Sequence, residues 1–141
     1  MSRNYYSEIN LHLIWHSKQS YPALTPEIES FAHRALRHKI VDSPGAFVHD
    51  INGTETHVHL VVTIAPTILI SEFIGQLKGP SSHEVNQRIG RKVLDWQPGY
   101  GVVSVGTKDL DWVMEYVRNQ KEHHARGTMH ERLERITMED A

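Results

Sequence analysis

The order in which strand-like and helix-like segments follow one another limits the fold of this chain more than any other feature. From Ser7 to His16 apolar residues alternate, with Ile9, Leu11, Leu13 and Trp15 on one face and Asn10, His12, Ile14 and His16 on the other. That two-residue period predicts a strand with a core face and a wetter face. Thr25 can cap a helix with Pro26 at its first position, where a missing N–H is harmless. The helix runs to about Ile40, with Ile28, Phe31, Ala35, Leu36 and Ile40 inward, and Pro44-Gly45 ends it. Ala46 to Ile51 and His57 to Thr63 read as strands joined by a turn containing Asn52-Gly53, a strong hairpin signal. Thr67 opens a helix through Phe73 and Leu77; Gly79-Pro80 interrupts it, and a second segment runs to about Ile89. Tyr100 to Gly106 is the fourth strand, and Thr107 caps a helix from Lys108 to about Arg126 that stops at Gly127. Thr128 with Glu131 matches a capping box for a short tail helix. The order β-α-β-β-α-β-α predicts an α+β, ferredoxin-like (split βαβ) antiparallel sheet with helices on one face and an added C-terminal helix. Strands one and three are then central neighbours.

The totals narrow the functions available. At 141 residues the chain suits one domain, 1–141, with a real core. It has no cysteine, which excludes disulfides, thiolate-zinc sites and cysteine nucleophiles. No apolar stretch approaches the roughly 20 residues of a membrane helix, and the start MSRNYYSEIN lacks the apolar core of a signal peptide. A cytoplasmic location and no membrane partner are expected. With 15 Lys+Arg against 17 Asp+Glu the formal net charge is −2, so nucleic-acid binding would rest on clustered basic residues. Arg88, Arg91 and Lys92 form one such cluster, and Arg34, Arg37, His38 and Lys39 another.

Two groups of residues carry chemistry. In the third strand Val58, Leu60 and Val62 share one face and His57, His59, Val61 and Thr63 the other, so both imidazoles can reach one ion. Structural histidines would show the same spacing. In the last helix Leu110, Val113, Met114 and Val117 form the core stripe. Trp112, Tyr116, Gln120 and His123 form a second stripe, rotated by roughly 100°. Tyr116 and Gln120 lie four residues apart and can address one point. Tyr116 reads either as a reactive phenol or as an amphipathic surface residue, and His124 as a solvated cation at the helix end.

These motifs together resemble the single-tyrosine HUH transposases of the insertion-sequence 200/605 class, including the relatives that act at repetitive extragenic palindromes (REP-associated tyrosine transposases). The resemblance rests on His57-Val58-His59, on Trp96-Gln97-Pro98-Gly99-Tyr100-Gly101 leading into a strand that ends Ser104-Val105, and on Tyr116-Val117-Arg118-Asn119-Gln120-Lys121-Glu122-His123-His124. It spans almost the whole chain and implies metal-dependent cleavage and rejoining of single-stranded DNA at a hairpin-flanked site, through a 5′-phosphotyrosine. By the resemblance His57, His59 and Gln120 are metal ligands, Tyr116 is the nucleophile on the catalytic helix, and Lys78 lies near the DNA. The implied ion is Mg²⁺ or Mn²⁺, and Glu55 and His123 are further candidates for its shell. The covalent link conserves bond energy, so no nucleotide cofactor is expected, and the related proteins imply a homodimer. Trp15, Tyr5, Tyr6 and Tyr21 are candidate stacking platforms for bases. The alternatives are a non-catalytic hairpin DNA- or RNA-binding protein on the same fold, which calls for exposed aromatics on the central strands, and a histidine phosphoesterase. A histidine triad would need a third alternating histidine, and position 61 is valine.

Overall fold

In the computed structural model, which describes residues 4–136, β1 (Ile9–His16) is the hub of a four-stranded sheet. It pairs antiparallel with β3 (His57–Ile64) on one side and with β4 (Gly101–Val105) on the other. β2 (Ala46–Gly53) pairs with the outer side of β3, giving the order β2-β3-β1-β4. This is the expected ferredoxin-like order with strands one and three in the centre.

One face of the sheet is apolar throughout. Leu11, Leu13 and Trp15 of β1 and Val58, Leu60 and Val62 of β3 pack against α1 (Pro26–Val41) and α2 (Ile70–Ile89), which contribute Leu36, Ile40, Phe73, Ile74, Leu77 and Val85. Burial of these side chains, at about 1.5–3 kcal/mol each, supplies the main drive to fold. The opposite face is not wet, as the alternation suggested. It is roofed by α3 (Leu110–Arg118), α4 (Gln120–Arg126) and α5 (Glu131–Glu134). Val61, Val105, Val113, Tyr116, Val117 and Leu133 form a second buried cluster there, and His12, His57 and His59 are buried beneath the same roof.

Several local expectations fail for identifiable reasons. Helix α2 runs unbroken through Pro80 and starts at Ile70 rather than Thr67. Pro80 removes one helical donor, that to the Gln76 carbonyl, and in the next turn the hydroxyls of Ser81 and Ser82 donate to the Lys78 carbonyl at 3.0 and 3.1 Å. Buried Ile74, Leu77 and Val85 hold both halves against one core, and tertiary packing of that kind outweighs a proline penalty of about 3 kcal/mol. The last helix does break. Asn119 takes φ −100° and ψ 25° between α3 and α4, and its side-chain amide donates back to the Glu115 carbonyl at 3.0 Å, a local bond that competes with helix. Tyr116 and Gln120 therefore lie on two helices, not one.

The expected caps divide in the same way. Thr25 does cap α1, accepting from the Ile28 N–H at 3.4 Å. Thr107 instead accepts from the Asn10 amide at 3.1 Å, and Thr128 binds His123 Nδ1 at 2.9 Å, so neither caps a helix.

The hairpin turn also sits later than expected. Asn52 and Gly53 remain in the ladder, opposite His59 and Val58, and residues 54–56 make the turn. Gly53 is needed for close approach: a Cβ there would lie 2.1 Å from the His57 carbonyl oxygen and 2.9 Å from Val58 Cα. Both neighbours are backbone and cannot rotate away. Gly53→Ala should therefore cost about 2–3 kcal/mol in urea unfolding, and an unchanged midpoint would refute this account.

On α1, burial lowers the His33 imidazole from 6.5 to about 4, with Lys121 and Arg37 adding to the effect. Its folded pKa is depressed, so the stability it contributes is complete above pH 6.5 and is lost as pH falls toward 4. The loss should be on the order of 2–3 kcal/mol, measured as urea midpoints across that window. His12, His16, His59 and His124 are lowered likewise and share that window, so His33→Gln should remove only its own share of the slope; an unaltered slope would refute it.

A candidate metal and nucleophile site

β3 points His57 and His59 at the roof helices, and each ring is held from behind. His57 Nδ1 lies 3.0 Å from the hydroxyl of Thr54 and 3.0 Å from that of Thr56, while His59 Nδ1 lies 2.7 Å from His12 Nε2. The antiparallel register makes this possible, because it sets Ile14 of β1 opposite His59 and His16 opposite His57. His16 stacks on the His57 ring at 4.7 Å. Fixing Nδ1 directs each Nε2 forward, toward the roof.

Glu134 meets them there. Its Oε1 is 3.4 Å from His57 Nε2, 3.2 Å from His59 Nε2 and 3.3 Å from His124 Nε2. Its Oε2 accepts from the Gln120 amide at 3.2 Å and from the Tyr116 hydroxyl. The Gln120 carbonyl oxygen lies 3.4 Å from His57 Nε2. The Tyr116 hydroxyl also accepts from the His130 N–H at 2.8 Å, and its ring stacks on His123 at 4.6 Å.

The electrostatics follow from burial. Desolvation lowers His59 and His16 to about 4, and it lowers His12 and His124 as well. These four imidazoles are neutral at pH 7 and offer lone pairs. Burial alone would raise the Glu134 carboxyl, but the facing imidazoles of His57 and His59 and the Tyr116 hydroxyl override it and hold the group well below the usual carboxylate range. Burial and the bond to Glu134 push the Tyr116 phenol up to about 12, so it is protonated in this arrangement.

His57, His59, His124 and Glu134 present ligand atoms all within 4.8 Å of one another. Although close to Glu134, His59 Nε2 and His124 Nε2 are buried without a hydrogen-bond partner. Lone pairs converging on a carboxylate oxygen suit a divalent cation.

The structure thus brings together the four residues singled out by motif, His57, His59, Tyr116 and Gln120. Lys78 lies elsewhere, on the α2 face of the sheet, donating to the Gln97 and Gly99 carbonyls above the Trp15 ring. Trp15 is 0% exposed and belongs to the core rather than to a stacking platform; Tyr5, Tyr6 and Tyr21 are exposed. Glu55 is exposed in the hairpin turn, away from the cluster, and His123 packs on Tyr116 outside it. Tyr116 is no surface tyrosine, being only 6% exposed beneath the tail. His124, read from sequence as a solvated cation, is one of the converging ligands. Glu134 was missed altogether. The usable signal was Leu133 beside it, an isolated apolar residue in a charged tail that had to dock somewhere.

The model of the IS200-like transposase family matches residues 5–120. The chain belongs to that family. The transposase TnpA of ISDra2 from Deinococcus radiodurans is 26% identical over 125 residues, covering 84% of this chain and 88% of that protein. The IS200 transposase of Salmonella typhimurium is 32% identical over 77 residues, half of each chain. A solved Deinococcus radiodurans protein, described as a candidate transposase, superposes with a TM-score of 0.68 at 23% identity, over 85% of this chain and 96% of its own. A REP-associated tyrosine transposase solved bound to a REP hairpin gives 0.60 at 17% identity, over 92% of this chain and 75% of its own. At these identities the two structures establish the fold. As an IS200-like transposase the protein belongs to a class of DNA-cleaving enzymes. Its His124 and Glu134 lie beyond the segment matched by the family. Among the described residues no helix is long and apolar enough to cross a membrane.

Proposed function

We propose that residues 1–141 form one HUH-type domain that cuts and rejoins single-stranded DNA at a hairpin-flanked site, in the cytoplasm and as a homodimer. The observation that carries this reading is the convergence of the Tyr116 hydroxyl and the Gln120 amide on the carboxylate that His57 and His59 face. A phenol, a carboxamide and two imidazoles that converge on one carboxylate supply a nucleophile beside ligands for an ion that would draw in a phosphodiester. The REP hairpin bound by a structural neighbour supports hairpin DNA as the substrate. Lys78 contributes positive charge from the groove between α2 and the Trp96–Tyr100 segment.

In the reaction the Tyr116 oxygen attacks the scissile phosphorus. A tyrosyl O–P bond forms, the bond to the 3′-oxygen breaks, and that oxygen leaves as a 3′-hydroxyl after gaining a proton. The phenol proton passes by way of the Glu134 carboxylate, its hydrogen-bond partner, to the leaving 3′-oxygen. One phosphodiester replaces another, so a second 3′-hydroxyl can reverse the step without a nucleotide cofactor. A divalent ion, Mg²⁺ or Mn²⁺, held by His57, His59 and Gln120 would polarise the scissile phosphate when bound. His57 and His59 are oriented for this by Thr54, Thr56 and His12. The stack of Tyr116 on His123 holds the ring over the site.

The test is incubation with labelled single-stranded DNA carrying the hairpin that flanks the gene, with and without Mn²⁺, on a denaturing gel. A slow band that protease removes, and that a chelator prevents, is expected; free cleavage products with no adduct would indicate hydrolysis instead. The protonated, Glu134-bound phenol favours one other reading, a non-catalytic hairpin DNA- or RNA-binding protein. That reading predicts a native gel shift and no cleavage.

A further inference from the structure

We propose that Lys121 is a positioning residue for the strand-transfer reaction, a clamp that locks the joint between α3 and α4 onto the β2–β3 hairpin that carries His57. The inference rests on the reading of Tyr116 as the nucleophile with Gln120 beside it, and adds what keeps the two in register. That register needs an outside hold. Asn119 interrupts the helix between them, so continuous helical geometry no longer fixes Gln120 relative to Tyr116. Gln120 is nevertheless 0% exposed, with its carbonyl oxygen 3.4 Å from His57 Nε2.

Lys121 is the next residue in the chain. Its Nζ donates to Glu29 Oε2 of α1 at 3.0 Å, to Asn52 Oδ1 of β2 at 3.0 Å and to the Gly53 carbonyl at 3.2 Å. An ammonium group has three donors, and here the three acceptors come from a helix side chain, a strand side chain and a strand carbonyl. Two further contacts join the same pieces. Asn52 Nδ2 donates to the Arg118 carbonyl at 2.8 Å, and Arg118 Nε lies 3.4 Å from Asp50 Oδ2. Arg118 and Lys121 flank the break, and both are tied to β2. The anchor bears directly on the site. Gly53 opposes Val58 in the ladder, and the Thr54 N–H donates to the His57 carbonyl at 3.0 Å. A shift of the joint against Gly53 is therefore a shift against His57.

Folding stability alone does not account for this convergence. The Lys121 side chain is 58% exposed, and an ion pair so open to water adds little to stability. Alignment is worth more, since a displacement of about 1 Å at a reacting group can slow a reaction on the order of 100-fold.

The experiment measures single-turnover adduct formation with Mn²⁺ over a range of hairpin DNA concentrations, beside amide hydrogen exchange of the full-length protein without DNA. Lys121→Met keeps the length of the stem and loses the ammonium. Its maximal rate should fall ~10- to 100-fold, with the urea midpoint unchanged. The DNA concentration giving half the maximal rate should stay within about threefold of wild type. Amides of residues 119–126 should exchange faster, while those of β1 and β3 keep their protection. Lys121→Arg, which retains the charge, should recover most of the rate. Asn52→Ala should add little to Lys121→Met, because both act through one joint. Rate and exchange both as in wild type would overturn the proposal. So would a loss confined to the half-maximal DNA concentration, which would make Lys121 a DNA contact, or a rate that falls only with the folded fraction. If the wild-type chain forms no adduct, the covalent reaction falls, and exchange alone decides the clamp: unaltered protection at residues 119–126 in Lys121→Met refutes it, and faster exchange there upholds it.

Discussion

Replacing Tyr116 with phenylalanine removes the covalent DNA adduct entirely and lowers strand cleavage at least ~10⁴-fold, while the Kd for the hairpin changes less than about threefold. Among the described residues no other hydroxyl is bonded to Glu134. The phenol is the group whose oxygen meets Glu134, and the described hydroxyl nearest to Glu134 in the chain, that of Thr128, is bound to His123 instead. The ring itself stays, so its stack on His123 and its place in the second buried cluster persist. Only the bonds to Glu134 and His130 are lost, a stability cost of about 1–2 kcal/mol. Activity and melting temperature should thus separate widely. An adduct retained in Tyr116→Phe would move the nucleophile elsewhere and sink the mechanism.

His57→Ala should abolish detectable cleavage, at least ~10³-fold, with hairpin binding largely intact. His57 is 2% exposed and stacks on His16, so truncation also opens a cavity and costs about 1–3 kcal/mol. That loss is too small to explain the inactivity if the chain starts with ordinary stability. His57→Gln, which fills most of the space, should be equally inactive and more stable. Circular dichroism and urea unfolding make the distinction: activity falling only in proportion to the folded fraction would make His57 a structural residue.

The strand pattern was legible because side-chain alternation is a property of the backbone itself. Once Ile9 to Trp15 and Val58 to Val62 are assigned to one face, His57 and His59 must share the other, and the ferredoxin-like order follows from the sequence of elements. Tyr116 and Gln120 were legible as a pair because four residues return a helix to the same side, and they remain adjacent although Asn119 divides the helix. What escaped was whatever depends on contacts distant in the chain. Pro80 stays helical because of the core beneath α2. Thr107 and Thr128 abandon their caps for Asn10 and His123. Gly53 serves a close backbone contact rather than a turn. Glu134 carries no local mark that separates it from Glu131. Its role comes from Leu133, whose burial against the roof cluster sets the next residue over the imidazoles.

The second buried cluster joins Val61 of the central sheet to Leu133 of the tail, and this sets an order of events for a chain emerging from the ribosome. The α1–α2 side of the sheet can be covered before the final quarter of the chain appears. The histidine-bearing side cannot, because α3, α4 and α5 come last. Val61 and Val105 remain open to water until then, an interval in which an unroofed sheet face can find another chain instead. Closure of that side depends on contacts such as Gln120 with His57, 63 residues apart, and contacts of long sequence separation form slowly. The roof that closes over His57 and His59 is therefore also what shields this face of the sheet from aggregation in the nascent protein.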